Sequence, residues 1–345
     1  MSYSWRMKPL APSPIRCDFP ATLNVLRWLI WETFRQASAS RMGAVFLTLT
    51  ALASLFCAGV RIHGGRVDKT PHEILEFVPR DMEVDDDRKQ RAGVVPIEGE
   101  TTLAFGLVRI PHARTAADSA QFIQLILAVA LAGTFGLLLA LIWTAGFLPN
   151  FLEPHHATIL LTKPVPGSLL LWGKFLGLVL YVGLHATVFV GATWVALGWA
   201  TGVWAWNYWW AVPLLVLQFA TFFAASVFLA VLTRQTVVCL LGSLGFWFLC
   251  SAVNSSRIEQ FVAASKTSER PVLGDIAYWL LPKPLDLYSM LSRALHADSY
   301  LATWSALQNY AHRVDVPWEA SVLTSLVFAV ALLIGSGWLL RRIDY

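Results

Sequence analysis

The stretch from Phe175 to Thr233 reads FLGLVLYVGLHATVFVGATWVALGWATGVWAWNYWWAVPLLVLQFATFFAASVFLAVLT and contains no Asp, Glu, Lys or Arg. Crossing the hydrocarbon core of a bilayer takes about 20 helical residues, so this stretch is long enough for two spans. Gly202 and Asn207 mark a turn between them, within a cluster of Trp and Tyr residues. Because such side chains collect at membrane–water interfaces, the stretch predicts two helices that cross a membrane.

Composition also indicates a membrane protein and argues against a soluble enzyme. The chain is 56% hydrophobic and 14% charged, whereas soluble domains average about 45–50% and about 25%. The net charge is +4 with no long run of one sign, so no nucleic-acid partner is expected. None of the four cysteines has a partner in a polar loop, so no structural disulfide is expected.

Four further charge-free stretches can hold one helix each, which gives six spans. They are predicted near Met42–Val60, Gln121–Ala145, Phe175–Ala200, Trp210–Thr233, Val237–Val253 and Ala320–Leu340. The predicted fold is therefore mainly α: a polytopic membrane protein with six transmembrane helices, an N-terminal interfacial helix and a small extracytoplasmic α/β cap.

The distribution of basic residues predicts the orientation. The short segments that face inward in one orientation carry more Lys and Arg than Asp and Glu, and cytoplasmic loops are enriched in Lys and Arg. Both termini are therefore expected in the cytoplasm, with the chain in the cell inner membrane. The predicted segments are 1–41 (cytoplasmic, with the interfacial helix), 42–60 (first span), 61–119 (extracytoplasmic, with a β element), 120–253 (four spans, with a cytoplasmic loop at 146–174), 254–319 (extracytoplasmic helices) and 320–345 (last span and tail).

Residues 21–38 predict an amphipathic helix. Leu26, Leu29 and Phe34 fall on one helical arc, and Arg27 and Arg35 fall opposite it. Such a helix can lie in the membrane interface with its arginines toward lipid phosphates; a linker helix packed on the protein remains the alternative. The expected interfacial anchors are Arg27, Trp28, Trp31, Arg35, Trp209 and Trp210.

The two long outer segments predict different structures. Leu103, Phe105 and Leu107 alternate with smaller residues between Thr101 and Ile110, which indicates a strand. The later segment predicts amphipathic helices at Leu285–Leu295 and Tyr300–His312. We expect the apolar strand face to be covered by these helices, so that the two segments form one cap.

Residues for catalysis, metal binding or proton transfer are not found at suitable spacings. Charged residues within spans mark proton relays, yet none lies away from the predicted span ends, and His185 is the one histidine within the predicted spans. Gly167–Phe175 resembles a phosphate loop, but it has five residues between its glycines and Phe where Ser or Thr is needed. No metal or cofactor is expected, and the chain itself is not expected to bind a nucleotide.

The loop between the second and third spans contains a short predicted helix. Glu153-Pro154 suits a helix start, since proline is favoured in the first turn and a carboxylate is stabilised at the positive end of the helix dipole. Lys163-Pro164 suits its end. This helix is too short to cross a bilayer, so it is predicted to contact a cytoplasmic partner.

With these residues the chain resembles the permease subunits of type-2 ATP-binding-cassette transporters. In that family the same loop commonly carries an acidic residue, then Leu-Leu-Thr-x-Pro, then a Lys at the start of the third span. Here Glu153, the stretch Leu160–Pro164 and Lys174 stand at those positions. The likeness extends to the N-terminal helix, the six spans and the helical segment before the last span, although the β element departs from the simplest members.

The resemblance implies a coupling helix at Pro149–Lys163 that docks on a separate cytoplasmic ATPase subunit. Two permeases, identical or different, would pair with two ATPases to form an exporter of an unidentified substrate. The implied coupling residues are Glu153, His155, His156, Leu160, Leu161, Thr162, Lys163 and Pro164. The competing hypothesis is a membrane-anchored receptor or assembly factor whose outer segments bind an extracytoplasmic protein.

Overall fold

The chain folds as a helical membrane protein with a small sheet at one end of a helical bundle. The structure is a computed structural model, and it describes residues 19–64, 76–79, 94–97, 99–112, 115–147, 149, 167–264, 272–295 and 318–342. The helices are α1 (Phe19–Ala39), α2 (Met42–Ala58), α3 (Ala116–Ile126), α4 (Leu137–Thr144), α5 (Gly167–Thr201), α6 (Ala211–Thr233), α7 (Thr236–Ala264), α8 (Val272–Leu280), α9 (Pro284–Ala294) and α10 (Trp318–Arg342). The strands are β1 (Arg61–His63), β2 (Glu76–Pro79), β3 (Val94–Ile97), β4 (Gly99–Leu103) and β5 (Val108–His112).

Five helical stretches in the described part of the chain are long and apolar enough to cross a membrane. They are Ala116–Thr144, Gly167–Thr201, Trp206–Thr233, Thr236–Arg257 and Trp318–Arg342. The first predicted span corresponds to α2, a helix of 17 residues. This length is at the short limit for crossing a bilayer, and α2 is long enough for a full span only together with α1. The axes of α1 and α2 are bent by 69°, and counting the bent pair as one span gives up to six.

Two helix boundaries differ from the predicted ones. α5 begins at Gly167, so residues 167–174 are helical and the predicted loop at 146–174 is shorter. Lys174 lies inside this helix. Its ammonium is buried and donates a hydrogen bond to Gln36 of α1, so a lysine can lie there without being exposed at the helix start. α7 continues to Ala264 instead of ending at Val253. Its backbone stays helical beyond the last residue of the apolar stretch.

The second span is interrupted by a π-helical segment, Leu127–Gly136, between α3 and α4. The Thr134 hydroxyl donates to the Val129 carbonyl at 3.1 Å, five residues earlier. π-helical turns are uncommon and are frequent at functional sites. This segment is the most irregular part of the described spans.

Contacts between distant residues identify the two ends of the bundle. The Arg341 guanidinium donates to the Ser168 hydroxyl at 3.3 Å, so α10 ends where α5 begins. At the opposite end, Leu291 of α9 shares one apolar cluster with Cys57 of α2 and Ala120 of α3. The spans therefore alternate in direction, with α1 at one end, called the α1 end, and the sheet and α9 at the other, called the sheet end.

β1, β4 and β5 form an antiparallel sheet in the order β1-β4-β5, while β2 and β3 form a separate parallel pair. The predicted β element is confirmed, but the single strand over Thr101–Ile110 is wrong. Ala104–Gly106 form a tight turn with φ of +49°, +59° and +98°, so the chain reverses there. Phe105 is 71% exposed at this turn, and its predicted burial beneath the later outer helices is therefore wrong.

The predicted helix at Leu285–Leu295 is confirmed as α9. Pro284 occupies its first turn together with Asp286, and Arg293 lies in the last turn, which matches the helix dipole at both ends. Leu291 and Leu295 are buried, so α9 packs on the bundle at the sheet end. The second predicted helix, Tyr300–His312, lies outside the described residues.

Candidate functional site

The predicted interfacial helix, α1, lies along the first turns of α5 and is held there by polar contacts. The Lys174 ammonium donates to the Gln36 side-chain carbonyl at 2.6 Å, and the Gln36 amide donates to Glu32 at 3.1 Å. Glu32 also pairs with Arg35 at 3.1 Å. This chain of contacts joins a buried lysine of a span to the exposed face of α1.

Two glycines allow α1 to approach α5 closely. A Cβ atom at Gly173 would lie 2.7 Å from Leu29 Cδ1, and one at Gly177 would lie 2.7 Å from Thr33 Cβ. Small residues commonly permit such close helix contacts in membranes. Leu29 and Thr33 are both fully buried, so one face of α1 is packed on the protein.

The predicted anchors on α1 lie on its other face. Arg27, Trp28, Trp31 and Arg35 are all exposed, and Trp31 is 71% exposed. One face of α1 thus packs on the protein, as the alternative prediction has it, and the other face presents exposed tryptophans. Trp210 is exposed as predicted, but Trp209 is half-buried against Trp194 and Gly191, so its ring stabilises the turn between α5 and α6.

The predicted coupling residues Glu153 to Pro164 lie outside the described residues. The described positions nearest to them in sequence are Pro149 and Gly167. Gly167 begins α5, and Lys174 lies two turns further along that helix. The loop therefore joins α5 close to the contact between α5 and α1. Because Gly167–Phe175 is helical from its first residue, it forms no phosphate loop.

A cavity of about 60 Å³ lies between the spans. Its lining is largely apolar, with Thr50 from α2, His185 from α5 and Gln218 from α6 as the polar exceptions. The His185 ring lies 4.7 Å from the Tyr181 ring and 5.3 Å from the Phe46 ring. An apolar site with a few polar groups is the usual composition of a small-molecule pocket.

Tyr288 of α9 connects this cavity to the sheet end. The Gln218 amide donates to the Tyr288 hydroxyl at 3.1 Å, and that hydroxyl donates to the Gly133 carbonyl at 3.1 Å. Thr134 lies 3.3 Å from the same hydroxyl. Burial raises the pKa of Tyr288, while its hydrogen bonds to Thr134 and Gln218 oppose the shift. One side chain thus ties α9 to both the π-helical segment and α6.

The close approach of Tyr288 depends on Gly133. A Cβ atom at Gly133 would lie 3.0 Å from the Tyr288 ring and 2.9 Å from the Ala128 carbonyl. The π-helical segment therefore presents a bare backbone to α9. Its irregular hydrogen bonding and the seat for Tyr288 occur at the same residues.

A second polar cluster surrounds Asp286 at the start of α9. The Asp286 carboxylate accepts hydrogen bonds from the hydroxyls of Tyr278 on α8 and Ser321 on α10, the latter at 2.7 Å. The Lys283 ammonium donates to the Thr324 hydroxyl at 2.6 Å and lies 4.8 Å from the centre of the Tyr278 ring. These contacts join α8, α9 and α10.

Two cations stack on the aromatic residues of α8. The Arg257 guanidinium at the end of the α7 span lies 3.4 Å from the centre of the Tyr278 ring, and Lys283 lies 4.7 Å from the centre of the Trp279 ring. Such cation–π contacts contribute about 2 kcal/mol or more when desolvated. They hold α8 between the bundle and the start of α9.

Burial sets the protonation of this cluster. Asp286 and Lys283 are 1% and 2% exposed. Burial raises the pKa of Asp286, and the hydrogen bonds from Tyr278 and Ser321 and the charges of Lys283 and Arg257 oppose the shift. Burial lowers the pKa of Lys283 to about 8, and the Asp286 charge opposes that shift. Burial therefore disfavours the charged form of each group, and the charge of each partner opposes that effect on the other.

Sequence reasoning found neither Tyr288 nor the Asp286 cluster. A signal was present for Asp286, because Lys283 and Asp286 bracket the start of a predicted amphipathic helix. A signal was also present for Gln218, the one amide side chain in α6. The partners Ser321 and Gly133 carry no such mark.

The chemistry of these sites is that of packing and hydrogen bonding. Among the described residues, no group of three or more His, Cys, Asp or Glu side chains could hold a metal ion. The cavity offers apolar contacts, two hydrogen-bonding groups and one imidazole.

No protein-family model matches the sequence, and no curated protein matches it. In the part of the chain that the structure describes, the architecture is that of a membrane protein with five long apolar helices, a bent helix pair and a small sheet at one end.

Proposed function

We propose that the chain is the permease subunit of a type-2 ATP-binding-cassette exporter in the cell inner membrane. It would form a dimer, with itself or a related chain, and move an unidentified substrate with energy from a separate cytoplasmic ATPase subunit. Both termini and the loop between α4 and α5 would face the cytoplasm, and the sheet end would face outward.

The observation that carries the proposal is the packing of α1 on the first turns of α5. These turns follow directly after the loop in which the predicted coupling residues lie. The contact is close, because Gly173 and Gly177 let the helices approach each other and Lys174 bonds to Gln36 at 2.6 Å. A partner that pushes on the loop would therefore move α1 and α5 as one unit.

The cavity and the Tyr288 network support the same proposal from the other end. α5 contributes His185 and α6 contributes Gln218 to the cavity, so a displacement of α5 changes the cavity's shape. Gln218 also bonds to Tyr288 at 3.1 Å. Movement at the α1 end could thus reach α9 through the spans and open the sheet end, with α9 acting as its cover.

Charge reversal in the loop tests the proposal. Tagged wild-type chain, purified in mild detergent from the membranes of its native host, should retain a partner that hydrolyses ATP. Glu153→Lys should remain in the membrane and lose most of that activity. Glu319→Lys is the matched control, because Glu319 is an exposed glutamate at the first turn of α10, at the sheet end, and it should retain the activity.

Three results contradict the proposal. The first is a wild-type sample without ATP hydrolysis. The second is a Glu153→Lys sample whose ATP hydrolysis equals the wild-type level. The third is hydrolysis by the chain purified alone from a foreign host, since a permease without a phosphate loop has no site for it. A receptor or assembly factor would give the first of these results.

A further inference from the structure

The sheet formed by β1, β4 and β5 has one polar and one largely apolar face. Arg61 lies opposite Thr102, which lies opposite Arg109; in the next row Ile62 lies opposite Thr101, which lies opposite Ile110. Successive strand residues point to opposite faces, so the two rows occupy different faces. Leu103 and Val108, also paired, belong to the face of Ile62 and Ile110.

The apolar face is turned toward the bundle. Ile62 and Leu103 pack against the apolar cluster at the ends of α2 and α3, and Thr101 on the same face is buried. The row with Arg61 and Arg109 therefore points away from the spans. If the spans are vertical in a bilayer, the sheet lies over them with its apolar side down.

Part of the apolar face extends beyond the bundle. β5 is the edge strand, and its Val108 and Ile110 are 49% and 46% exposed although they lie on the bundle side. The turn before β5 adds Phe105, and Leu107 beside it is 87% exposed. A soluble surface rarely carries such a continuous apolar patch without a partner.

Backbone contacts fix the height of this patch. The Phe105 amide donates to the Gly59 carbonyl at 3.0 Å, and a Cβ atom at Gly59 would lie 2.9 Å from Phe105 Cδ2. Gly59 directly follows α2. The turn is therefore held at the level where the first span ends, so it cannot stand far above the membrane surface.

The patch continues the apolar surface of α2. Leu52, Leu55 and Phe56 are exposed on the last two turns of that helix, where apolar side chains face lipid. Phe105 lies against Gly59, the residue that directly follows that helix. Arg109 lies on the opposite face and pairs with Glu100 at 3.6 Å.

We propose that the turn Ala104–Gly106 and the outer edge of β5 insert into the bilayer leaflet at the sheet end, with phospholipid as the partner. Phe105, Leu107, Val108 and Ile110 reach the boundary between headgroups and acyl chains, as the apolar face of an interfacial helix does. Arg109 faces the headgroups and water. The sheet thereby anchors the end of α2, and this role holds whether or not the chain serves an ATPase.

Spin labels measure this insertion directly. In the full chain with its four cysteines replaced, Leu107→Cys and Ile110→Cys carry a nitroxide in phosphatidylcholine vesicles. Arg109→Cys, on the face opposite Ile110, is the matched control. Molecular oxygen concentrates in hydrocarbon and a nickel chelate stays in water. Oxygen should collide more often than nickel with labels 107 and 110, and the order should be reversed at 109.

Two results overturn the insertion. A label at 107 as accessible to nickel as the label at 109 means that the turn stands in water. A label at 107 shielded from both reagents means that a protein, such as a second copy, covers it. The unmodified chain gives an independent readout: a lipid with a photoreactive group near its headgroup should label peptides spanning 104–110, and absence of labelling there also contradicts the proposal.

Discussion

Asp286 is a buried acidic side chain that joins three helices. A buried carboxylate is costly unless its hydrogen bonds and counter-charges are supplied. Here two hydroxyls, from Tyr278 and Ser321, donate to it, and Lys283 and Arg257 supply positive charge. The start of α9 is therefore fixed to the bundle by polar contacts, while Leu291 and Leu295 fix its later turns by apolar contacts.

Because of Lys283, the free energy of unfolding should increase as the solution becomes alkaline. Its pKa is about 8 in the folded chain and near 10.5 when exposed. Between these values the unfolded chain holds a proton that the folded chain has lost, so the free energy of unfolding rises with pH across that window. Lys283→Met should remove this rise from the apparent melting temperature, followed by tryptophan fluorescence in detergent. Parallel pH profiles for the wild type and Lys283→Met would contradict the assigned role.

Individual partners at this scale were only partly predictable. Sequence patterns indicated that Arg27 and Arg35 would be exposed on α1, because amphipathic periodicity places them opposite Leu26 and Leu29. The pairing of Asp286 with Ser321 depends on how α9 meets α10, and a single helix pattern carries no information on that contact. Trp209 was predicted as an anchor from its residue type, yet its ring packs on Trp194.

At the scale of elements, the contact between α1 and α5 depends on small residues. Gly177 should not tolerate a large side chain, since even a Cβ atom would lie 2.7 Å from Thr33. Gly177→Leu should therefore displace α1, at a cost of about 1–3 kcal/mol for overpacking. Trypsin should cleave α1 at Arg35 faster than in the wild type.

Gly245→Leu in α7 is the matched control. No atom lies within 4 Å of a Cβ atom built at Gly245, so a leucine there meets open space and should leave cleavage at Arg35 unchanged. Equal cleavage rates in Gly177→Leu and the wild type would show that α1 is not held by this contact.

Helix periodicity was easier to interpret than strand alternation. α1 and α9 were predicted because their apolar residues recur at helical spacing over several turns. The strand over Thr101–Ile110 was wrong because a tight turn with positive φ at Ala104 and Phe105 interrupts an alternation that continues by coincidence. The π-helical segment in the second span was not predicted, since the apolar composition of Leu127–Gly136 continues into α4 without a break.

At the scale of the whole molecule, the charge-free stretches predicted the five long apolar helices found among the described residues. The first span was harder, because α2 has 17 residues and continues into α1 through a bend of 69°. Successive spans cross the bundle in opposite directions. Which end faces the cytoplasm depends on the membrane and the insertion machinery, so it stays a prediction from the Lys and Arg distribution.

Orientation is the property on which coupling to a cytoplasmic ATPase depends. The orientation can be measured with single cysteines introduced into a chain whose own four cysteines are replaced. A membrane-impermeant thiol reagent is added to intact cells. Arg109→Cys lies at the exposed sheet end, Gln235→Cys lies in the exposed turn between α6 and α7, and His155→Cys lies in the predicted coupling loop. We predict labelling of 109 on intact cells, and of 235 and 155 only after permeabilisation. Labelling of 155 or 235 on intact cells, with 109 protected until permeabilisation, would contradict the proposed permease.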